Sequence, residues 1–124
     1  MQVYIVEDSR VFRERLVSLL EEVEGLEIAG FSASAKGTAE NIIMRLPDVL
    51  LLDIGLADGN GLDILATVQR HKLKTVTMVM TLDFSSVHQK RAMDCGAEYF
   101  FDKAKDLWKI PLAIEQMIAA KNKV

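Results

Sequence analysis

The sequence predicts a doubly wound α/β fold, in which a five-stranded parallel sheet is covered by helices on both faces. Two observations lead to this prediction: short, strongly apolar runs recur along the chain, and each is followed by a stretch whose apolar residues repeat at helical spacing. Parallel strands need crossover connections, and right-handed crossovers place helices on both sides of the sheet. The chain has 124 residues, of which 50% are hydrophobic, and this is enough to enclose one core. We therefore expect a single domain over residues 1–124.

The predicted strands are apolar runs whose β-branched and aromatic content is typical of strands buried on both faces. Four of them are strong: Val3–Val6, Val49–Leu52, Val76–Met80 and Tyr99–Phe101. A weaker run, Leu26–Phe31, contains a glutamate and a glycine and is therefore expected at the edge of the sheet. The run Val49–Leu52 is the most apolar, so its strand is expected at the centre.

The predicted helices are stripes of apolar residues at helical spacing. The first is preceded by Ser9, a good capping residue, and followed by Gly25; it contains Phe12, Leu16, Leu19, Leu20 and Val23. A second stripe, ended by Pro47, contains Ala39, Ile42, Ile43 and Leu46, and a third contains Leu62, Leu65 and Val68. A fourth, ended by Gly96, contains Val87, Ala92 and Met93. The fifth helix begins near Pro111 and contains Ile110, Ile114, Met117 and Ile118.

The composition excludes several classes of protein. Fifteen Lys and Arg against eighteen Asp and Glu leave a net charge of -3, which gives no basis for binding nucleic acid by this chain alone. The single cysteine, Cys95, cannot form a disulfide within the chain, which indicates a reducing compartment. No apolar run reaches the roughly 18 residues that a membrane span needs, and the acidic N-terminus is unlike a signal peptide. These observations favour a cytoplasmic protein without a membrane segment.

Polar side chains follow the four strong strands at the points where they end. They are Glu7 and Asp8, then Asp53, then Thr81, then Lys103. Because the carboxyl ends of parallel strands meet at one edge of a sheet, we expect these side chains to converge. Three crowded carboxylates repel one another and favour a hard divalent cation, and a donor set of oxygens alone favours Mg²⁺ or Mn²⁺ over zinc.

The same residues indicate phosphoryl chemistry. A metal ion, the Lys103 ammonium and the Thr81 hydroxyl are the groups that stabilise charge on the oxygens of a phosphoryl group in transfer. With neither cysteine nor serine at the centre of the cluster, a carboxylate is the plausible nucleophile. Asp53 ends the most apolar strand and is the best placed.

With these residues, the whole chain resembles the receiver domain of bacterial two-component response regulators. The matching motifs are, in order, Glu7-Asp8, Leu50-Leu51-Leu52-Asp53, Met80-Thr81, Gly96-Ala97 and Phe100-Phe101-Asp102-Lys103. The resemblance implies a flavodoxin-like (βα)5 fold with strand order 2-1-3-4-5. It also implies that the domain takes a phosphoryl group onto an aspartate from a sensor histidine kinase, a histidine phosphotransfer protein or a small phosphodonor.

The resemblance assigns a role to each acid of the cluster. Asp53 is the phosphoacceptor, and Mg²⁺ is held by Glu7, Asp8, Asp53 and the main-chain carbonyl of Gly55. Because phosphorylation takes place on the domain itself, turnover of an independent substrate is not expected.

By the same resemblance, Thr81 and Lys103 contact the phosphoryl oxygens. Phe100 matches an aromatic residue that swings inward when the threonine moves toward the phosphate. This movement changes the surface of the fourth helix, fifth strand and fifth helix, where a downstream protein reads the state. The resemblance leaves homodimerisation open.

The chain departs from the commonest receiver sequence at several positions. Ala57 stands where a proline is usual in the loop after the acceptor aspartate, and Ala104 stands where a proline often follows the lysine. Leu82 replaces a small residue, which narrows access to the phosphoryl site and predicts slow phosphorylation or hydrolysis. Gly55 and Asp83 occupy positions that influence the hydrolytic water, so the lifetime of the phosphorylated state stays open.

Alternative functions also follow from the sequence. A receiver-like interaction domain that is never phosphorylated is conceivable because of Leu82 and Ala57. An aspartyl-nucleophile phosphohydrolase would need a second acid close to the nucleophile, and Gly55 provides none. A calcium loop over residues 58–63 is discounted because it lacks the acid at its twelfth position. The chain is expected to be either a stand-alone regulator or the receiver of a longer one with a DNA-binding domain.

Overall fold

A computed structural model describes residues 1–82 and 85–123, and within them five strands alternate with five helices. The strands are β1 (Gln2–Val6), β2 (Glu27–Ser32), β3 (Val49–Asp53), β4 (Val76–Thr81) and β5 (Tyr99–Asp102). The helices are α1 (Arg10–Leu20), α2 (Thr38–Arg45), α3 (Gly61–Arg70), α4 (Ser86–Asp94) and α5 (Lys109–Asn122). The strands form one sheet in the order β2-β1-β3-β4-β5, and every neighbouring pair is parallel. The predicted fold and strand order are confirmed.

Each face of the sheet carries its own hydrophobic core, because successive side chains of a strand point to opposite faces. Along β1, Val3 and Ile5 belong to a core with residues of α1 and α5, whereas Tyr4 and Val6 belong to a core with residues of α2, α3 and α4. All five residues of β3 are buried. The β3 strand is therefore central, as its continuous apolar run predicts.

Of the four strong strands, β3, β4 and β5 extend one residue further toward their carboxyl ends than the apolar runs indicate, whereas β1 ends where its run ends. Asp53 is the last residue of β3 and Thr81 the last residue of β4, because the parallel ladder continues through the pairs Asp53–Met80 and Thr81–Asp102. These two polar side chains are therefore fixed by strand geometry rather than by a loop.

Two of the predicted helical stripes are partly wrong. Val87 and Met93 of α4 are 64% and 45% exposed, and among the residues of this helix that are described, Ala92 is the buried one. Leu46 is 61% exposed because α2 ends at Arg45 and Leu46 then adopts a left-handed conformation with φ 49°. The spacing of these residues is helical, but no element covers their side chains.

The helix starts agree with the capping residues in the sequence. The Ser9 side chain accepts a hydrogen bond from the Phe12 N–H at 3.2 Å, which caps α1, and Pro111 lies in the first turn of α5. Among the described residues, no helix is both long and apolar enough to span a membrane.

The start of α3 lies very close to the end of β3. A Cβ atom placed on Gly61 would lie 2.6 Å from the Asp53 carbonyl oxygen and 2.6 Å from the Cα of Ile54. Only glycine leaves room for this approach, so Gly61 allows the loop after Asp53 to be short and tightly packed.

Candidate functional site

The carboxyl edge of the sheet brings the predicted polar side chains into one cleft. This cleft has a volume of about 310 Å³ and is lined by Asp8, Ser9, Asp53, Gly55, Thr81, Leu82 and Lys103. Glu7 lies beneath it, fully buried at the end of β1. Four connections, those that follow β1, β3, β4 and β5, thus contribute to a single site.

Glu7 is a buried acid with two different environments for its two oxygens. Its Oε2 accepts a hydrogen bond from the Ser9 N–H at 3.0 Å, and its Oε1 lies 2.6 Å from the Lys103 Nζ. Burial raises the pKa of Glu7 from an ordinary value of 4.5 to about 7, and the interaction with Lys103 opposes this rise. The Oε1 atom is buried and makes no hydrogen bond of regular geometry besides this ion pair.

Asp53 is held in place through both carboxylate oxygens. Its Oδ1 accepts a hydrogen bond from the Gly55 N–H at 2.9 Å, and its Oδ2 accepts one from the Lys103 Nζ at 3.3 Å. The residue is only 4% exposed, yet it lines the cleft. The orientation of the carboxylate is therefore fixed before any ligand binds.

Asp8 completes a group of three acids. Its Oδ2 accepts a hydrogen bond from the Ala57 N–H at 2.9 Å, which ties the loop after β1 to the loop after β3. One oxygen from each of Glu7, Asp8 and Asp53 can be chosen such that all lie within 4.8 Å of one another.

These residues fit a divalent cation of the magnesium type. Among the described residues of the site, three acids cluster and the Lys103 ammonium pairs with two of them, Glu7 and Asp53, so acidic groups outnumber cationic ones there. Glu7 Oε1 lacks a regular hydrogen bond and is a ready ligand. The donor atoms are all oxygens, which Mg²⁺ prefers. Gly55 is adjacent, because its N–H is bonded to Asp53.

Thr81 and Phe100 lie on neighbouring strands and on the same face of the sheet. Phe100 pairs with Val79 and Thr81 pairs with Asp102, so Thr81 and Phe100 are two ladder positions apart and share a face. Thr81 is 4% exposed at the floor of the cleft, and Phe100 is half-buried against the core on the side of α2, α3 and α4. The two residues of the predicted switch pair therefore lie on the same face of neighbouring strands, and their role as a switch stays a prediction.

The structure also shows contacts that the sequence did not reveal. The Phe12 ring centroid lies 4.3 Å from the Lys103 Nζ, and the Arg13 side chain donates a hydrogen bond to the Glu7 carbonyl oxygen at 2.8 Å. Both residues belong to the first turns of α1. Phe12 fits the apolar stripe of that helix equally well, so no feature of the sequence distinguished it from an ordinary core residue.

A second loop contact involves Asp58, which follows Ala57 in the loop after β3. Its carboxylate accepts hydrogen bonds from the N–H groups of Ala35 and Lys36 at 2.7 and 3.3 Å. These bonds lower the pKa of Asp58, with the Ala35 bond as the largest cause. The carboxylate therefore ties the loop after β3 to the loop between β2 and α2.

The departures from the usual receiver sequence have distinct structural outcomes. Leu82 lines the cleft with a side chain that is 73% exposed, and the N–H of Ala57 is bonded to Asp8. The Lys103–Ala104 peptide bond is trans, as are the other bonds of the described residues. Asp83 lies outside the described residues.

Comparisons with known proteins agree with this geometry. Residues 3–115 match the sequence profile of the response regulator receiver domain. A protein-glutamate methylesterase/protein-glutamine glutaminase of Alkalilimnicola ehrlichii is 31% identical over 80% of this chain and 26% of its own length. The transcriptional regulatory protein LytR of Staphylococcus aureus is 26% identical over 99% of this chain and 49% of its own length. The chain thus spans about a quarter to a half of these curated relatives.

Solved structures show the same fold. The receiver domain of the response regulator NarL from Mycobacterium tuberculosis has a TM-score of 0.82 and 24% identity, with 93% of this chain and 95% of that chain covered. The response regulator domain of Thermotoga maritima CheB has a TM-score of 0.81 and 21% identity, with 100% of this chain and 97% of that chain covered. Together with the profile match over nearly the whole chain, these findings show that the chain belongs to the response regulator receiver domain family.

Proposed function

We propose that this receiver domain, over residues 1–124, is a phosphoacceptor in two-component signalling and takes a phosphoryl group onto Asp53. One observation carries the proposal: the Asp53 carboxylate lies within 4.8 Å of two further carboxylates and 3.3 Å from the Lys103 ammonium. Acids placed so close to one another and to a cation are suited to hold a metal ion and a transferred phosphoryl group together.

In this proposal Glu7, Asp8, Asp53 and the Gly55 carbonyl hold Mg²⁺. When bound, the ion supplies positive charge that offsets the charge on the phosphoryl oxygens during transfer. The protein contributes the fixed orientation of Asp53, because its two oxygens are already engaged by the Gly55 N–H and by Lys103. Such preorganisation lowers the cost of aligning the nucleophile with the phosphorus atom.

The transfer itself forms one bond and breaks another. An Asp53 carboxylate oxygen attacks the phosphorus, and the bond from phosphorus to the donor's leaving atom breaks, with the electron pair leaving on that atom. The donor is a phosphohistidine of a sensor histidine kinase or phosphotransfer protein, or a small acyl phosphate. Thr81 and Lys103 line the same cleft and donate to the phosphoryl oxygens, where charge-assisted hydrogen bonds are strongest.

The phosphoryl group would then act on the neighbouring surface. Movement of Thr81 toward the phosphate vacates space beside Phe100, which lies two ladder positions away on β5. Three large apolar side chains in this part of the chain are 45% to 64% exposed: Val87 of α4, Leu112 of α5, and Trp108, which directly precedes α5. Apolar side chains that remain exposed are suited to a downstream protein that recognises one of the two states.

Intact-mass measurement tests the proposal. Incubation with acetyl phosphate and Mg²⁺ is expected to add the mass of one phosphoryl group to the wild type. The Asp53→Asn variant, and the wild type with a chelator, are expected to gain none. Equal labelling of the Asp53→Asn variant would contradict the assignment of the acceptor.

A receiver-like interaction domain that is not regulated by phosphorylation is the second candidate. The observation that favours it is the Leu82 side chain, which lines the cleft beside Thr81. It predicts partner binding that is the same for the wild type, for Asp53→Asn and in the presence of beryllofluoride and Mg²⁺. A change of affinity with beryllofluoride in the wild type alone favours the phosphoacceptor instead.

A further inference from the structure

The ammonium of Lys103 is almost completely removed from water. The Lys103 side chain is 7% exposed, and its Nζ lies 2.6 Å from Glu7 Oε1 and 3.3 Å from Asp53 Oδ2. An ammonium group carries three N–H donors, of which one is donated to Asp53 Oδ2, while the Glu7 carboxylate lies beside the ammonium as an ion-pair partner. A third donor buried without a partner would cost free energy, because its hydration is lost without compensation.

The Phe12 ring also lies close to this ammonium. The Lys103 Nζ is 4.3 Å from the ring centroid, within the distance at which the negative face of an aromatic ring attracts a cation. This attraction is stronger in a desolvated setting than at an exposed one. The ring is therefore a further partner of the ammonium, besides the two acids.

The position of Phe12 is itself fixed by the start of α1. Its N–H donates to the capping side chain of Ser9, and its side chain packs against the core beneath α1 and α5. The next residue, Arg13, bonds to the Glu7 carbonyl oxygen and so ties the same helical turn to the buried acid. The first turns of α1 thus fix the position of the ring relative to the acids of the cleft.

We propose that Phe12 is a positioning residue for Lys103. Its ring holds the ammonium beside Glu7 and Asp53 and keeps water from the outer side of the charge. When a phosphoryl group reaches Asp53, the ammonium is then already placed and poorly hydrated, which strengthens its bond to the phosphoryl oxygens. The consequence for phosphorylation rests on the proposed function, whereas the placement of Lys103 does not.

Fluorination of the Phe12 ring tests the proposal with little change of shape. Phenylalanine that carries one, two or three ring fluorines is introduced at codon 12 alone. Each added fluorine withdraws more negative charge from the face of the ring. In the protein without metal, we expect the hydrogen exchange of the Lys103 ammonium, followed by NMR, to become faster at each step. Exchange that stays at the wild-type rate along the whole series would overturn the proposal.

Phosphorylation by acetyl phosphate with saturating Mg²⁺ gives the second readout. We expect Phe12→Leu, which keeps an apolar side chain but removes the ring, to lower the rate by about threefold to thirtyfold, and Phe12→Trp to restore it. A matched control is Phe101→Leu, which makes the same exchange in the same core, where the ring stacks on Tyr99. Equal losses in Phe12→Leu and Phe101→Leu, or no recovery in Phe12→Trp, would overturn the proposal.

The two readouts separate failure of this inference from failure of the proposed function. If the wild type takes up no phosphoryl group, the proposed function fails, and the ammonium exchange alone decides the role of Phe12. If the wild type is labelled and both Phe12 readouts stay at wild-type values, the positioning role fails and the phosphoacceptor function stands.

Discussion

Glu7 shows how burial changes the chemistry of a single acid at this site. It is fully buried, and its pKa is raised to about 7 mainly by the loss of hydration. Lys103 limits this rise but does not remove it, since the ammonium is shared with Asp53. Without a metal ion, Glu7 therefore retains a proton at a pH where exposed glutamates are ionised.

This pKa predicts a pH dependence of stability for the protein without metal. The folded state holds the Glu7 proton up to about pH 7, whereas the unfolded chain releases it near 4.5. The folded state binds more protons in this window, so the contribution of Glu7 to stability is full below pH 4.5 and is lost as the pH rises through 7. Chemical denaturation with EDTA present is expected to show a free energy of unfolding that falls by up to about 1.4 kcal/mol per pH unit for this one proton.

The Glu7→Gln variant is the control for this effect. Glutamine keeps the volume of the side chain but cannot titrate, so the decline between pH 4.5 and 7 is expected to be smaller than in the wild type. Identical slopes for the two proteins would show that Glu7 does not titrate in this window.

At the scale of elements, the site depends on how closely α3 approaches the end of β3. The ladder fixes Asp53 as the last residue of β3, and the N–H of Gly61 bonds to the carbonyl oxygen of Ile54 at 3.2 Å. The loop between them is tied at Ala57 to Asp8 and at Asp58 to the neighbouring loop before α2. The loop that follows Asp53 is thus anchored at three points, Ala57, Asp58 and Gly61.

The Gly61→Ala substitution is expected to lower the free energy of unfolding by about 2 kcal/mol or more. The new Cβ would lie 2.6 Å from main-chain atoms of Asp53 and Ile54, and main chain cannot move aside cheaply. Gly55→Ala is the matched control, because its Cβ would meet the Asp53 Oδ1 at an ordinary 3.5 Å, and it is expected to cost less than about 1 kcal/mol. Equal costs in urea denaturation would contradict the close packing at Gly61.

In the whole molecule, one hydrophobic core packs on each face of the sheet, and the charged side chains cluster at the carboxyl edge of the sheet. Bringing three acids together is unfavourable without a cation, so metal binding is expected to stabilise the folded protein. At a Mg²⁺ concentration about 100 times the dissociation constant, the free energy of unfolding is expected to rise by about 2.7 kcal/mol. The effect is measured by urea denaturation with Mg²⁺ or EDTA.

Asp8→Asn is the matched variant for this measurement. Asparagine retains an oxygen that can accept from the Ala57 N–H but loses the charge that attracts the metal. At the same Mg²⁺ concentration, its stabilisation is expected to be smaller. Equal stabilisation of both proteins would place the ion elsewhere.

The fold was predictable because its strongest signals are local. The continuous apolar run at residues 49–52 predicts a strand buried on both faces, and the polar residues at the ends of β1, β3, β4 and β5 converge because parallel strands end at one edge. The exposure of Val87 and Met93 was not predictable, since helical spacing does not show whether another element covers the stripe. The contact of Phe12 with Lys103 was also hidden, because it joins distant parts of the chain.

Chemical trapping of the phosphorylated residue identifies the acceptor aspartate. After incubation with acetyl phosphate and Mg²⁺, borohydride reduces an aspartyl phosphate to homoserine, and peptide mass spectrometry then identifies the position. We expect homoserine at position 53 alone, and none when Mg²⁺ is withheld. Homoserine in place of a different aspartate, or homoserine at position 53 that forms equally well with EDTA, would contradict Mg²⁺-dependent phosphorylation of Asp53.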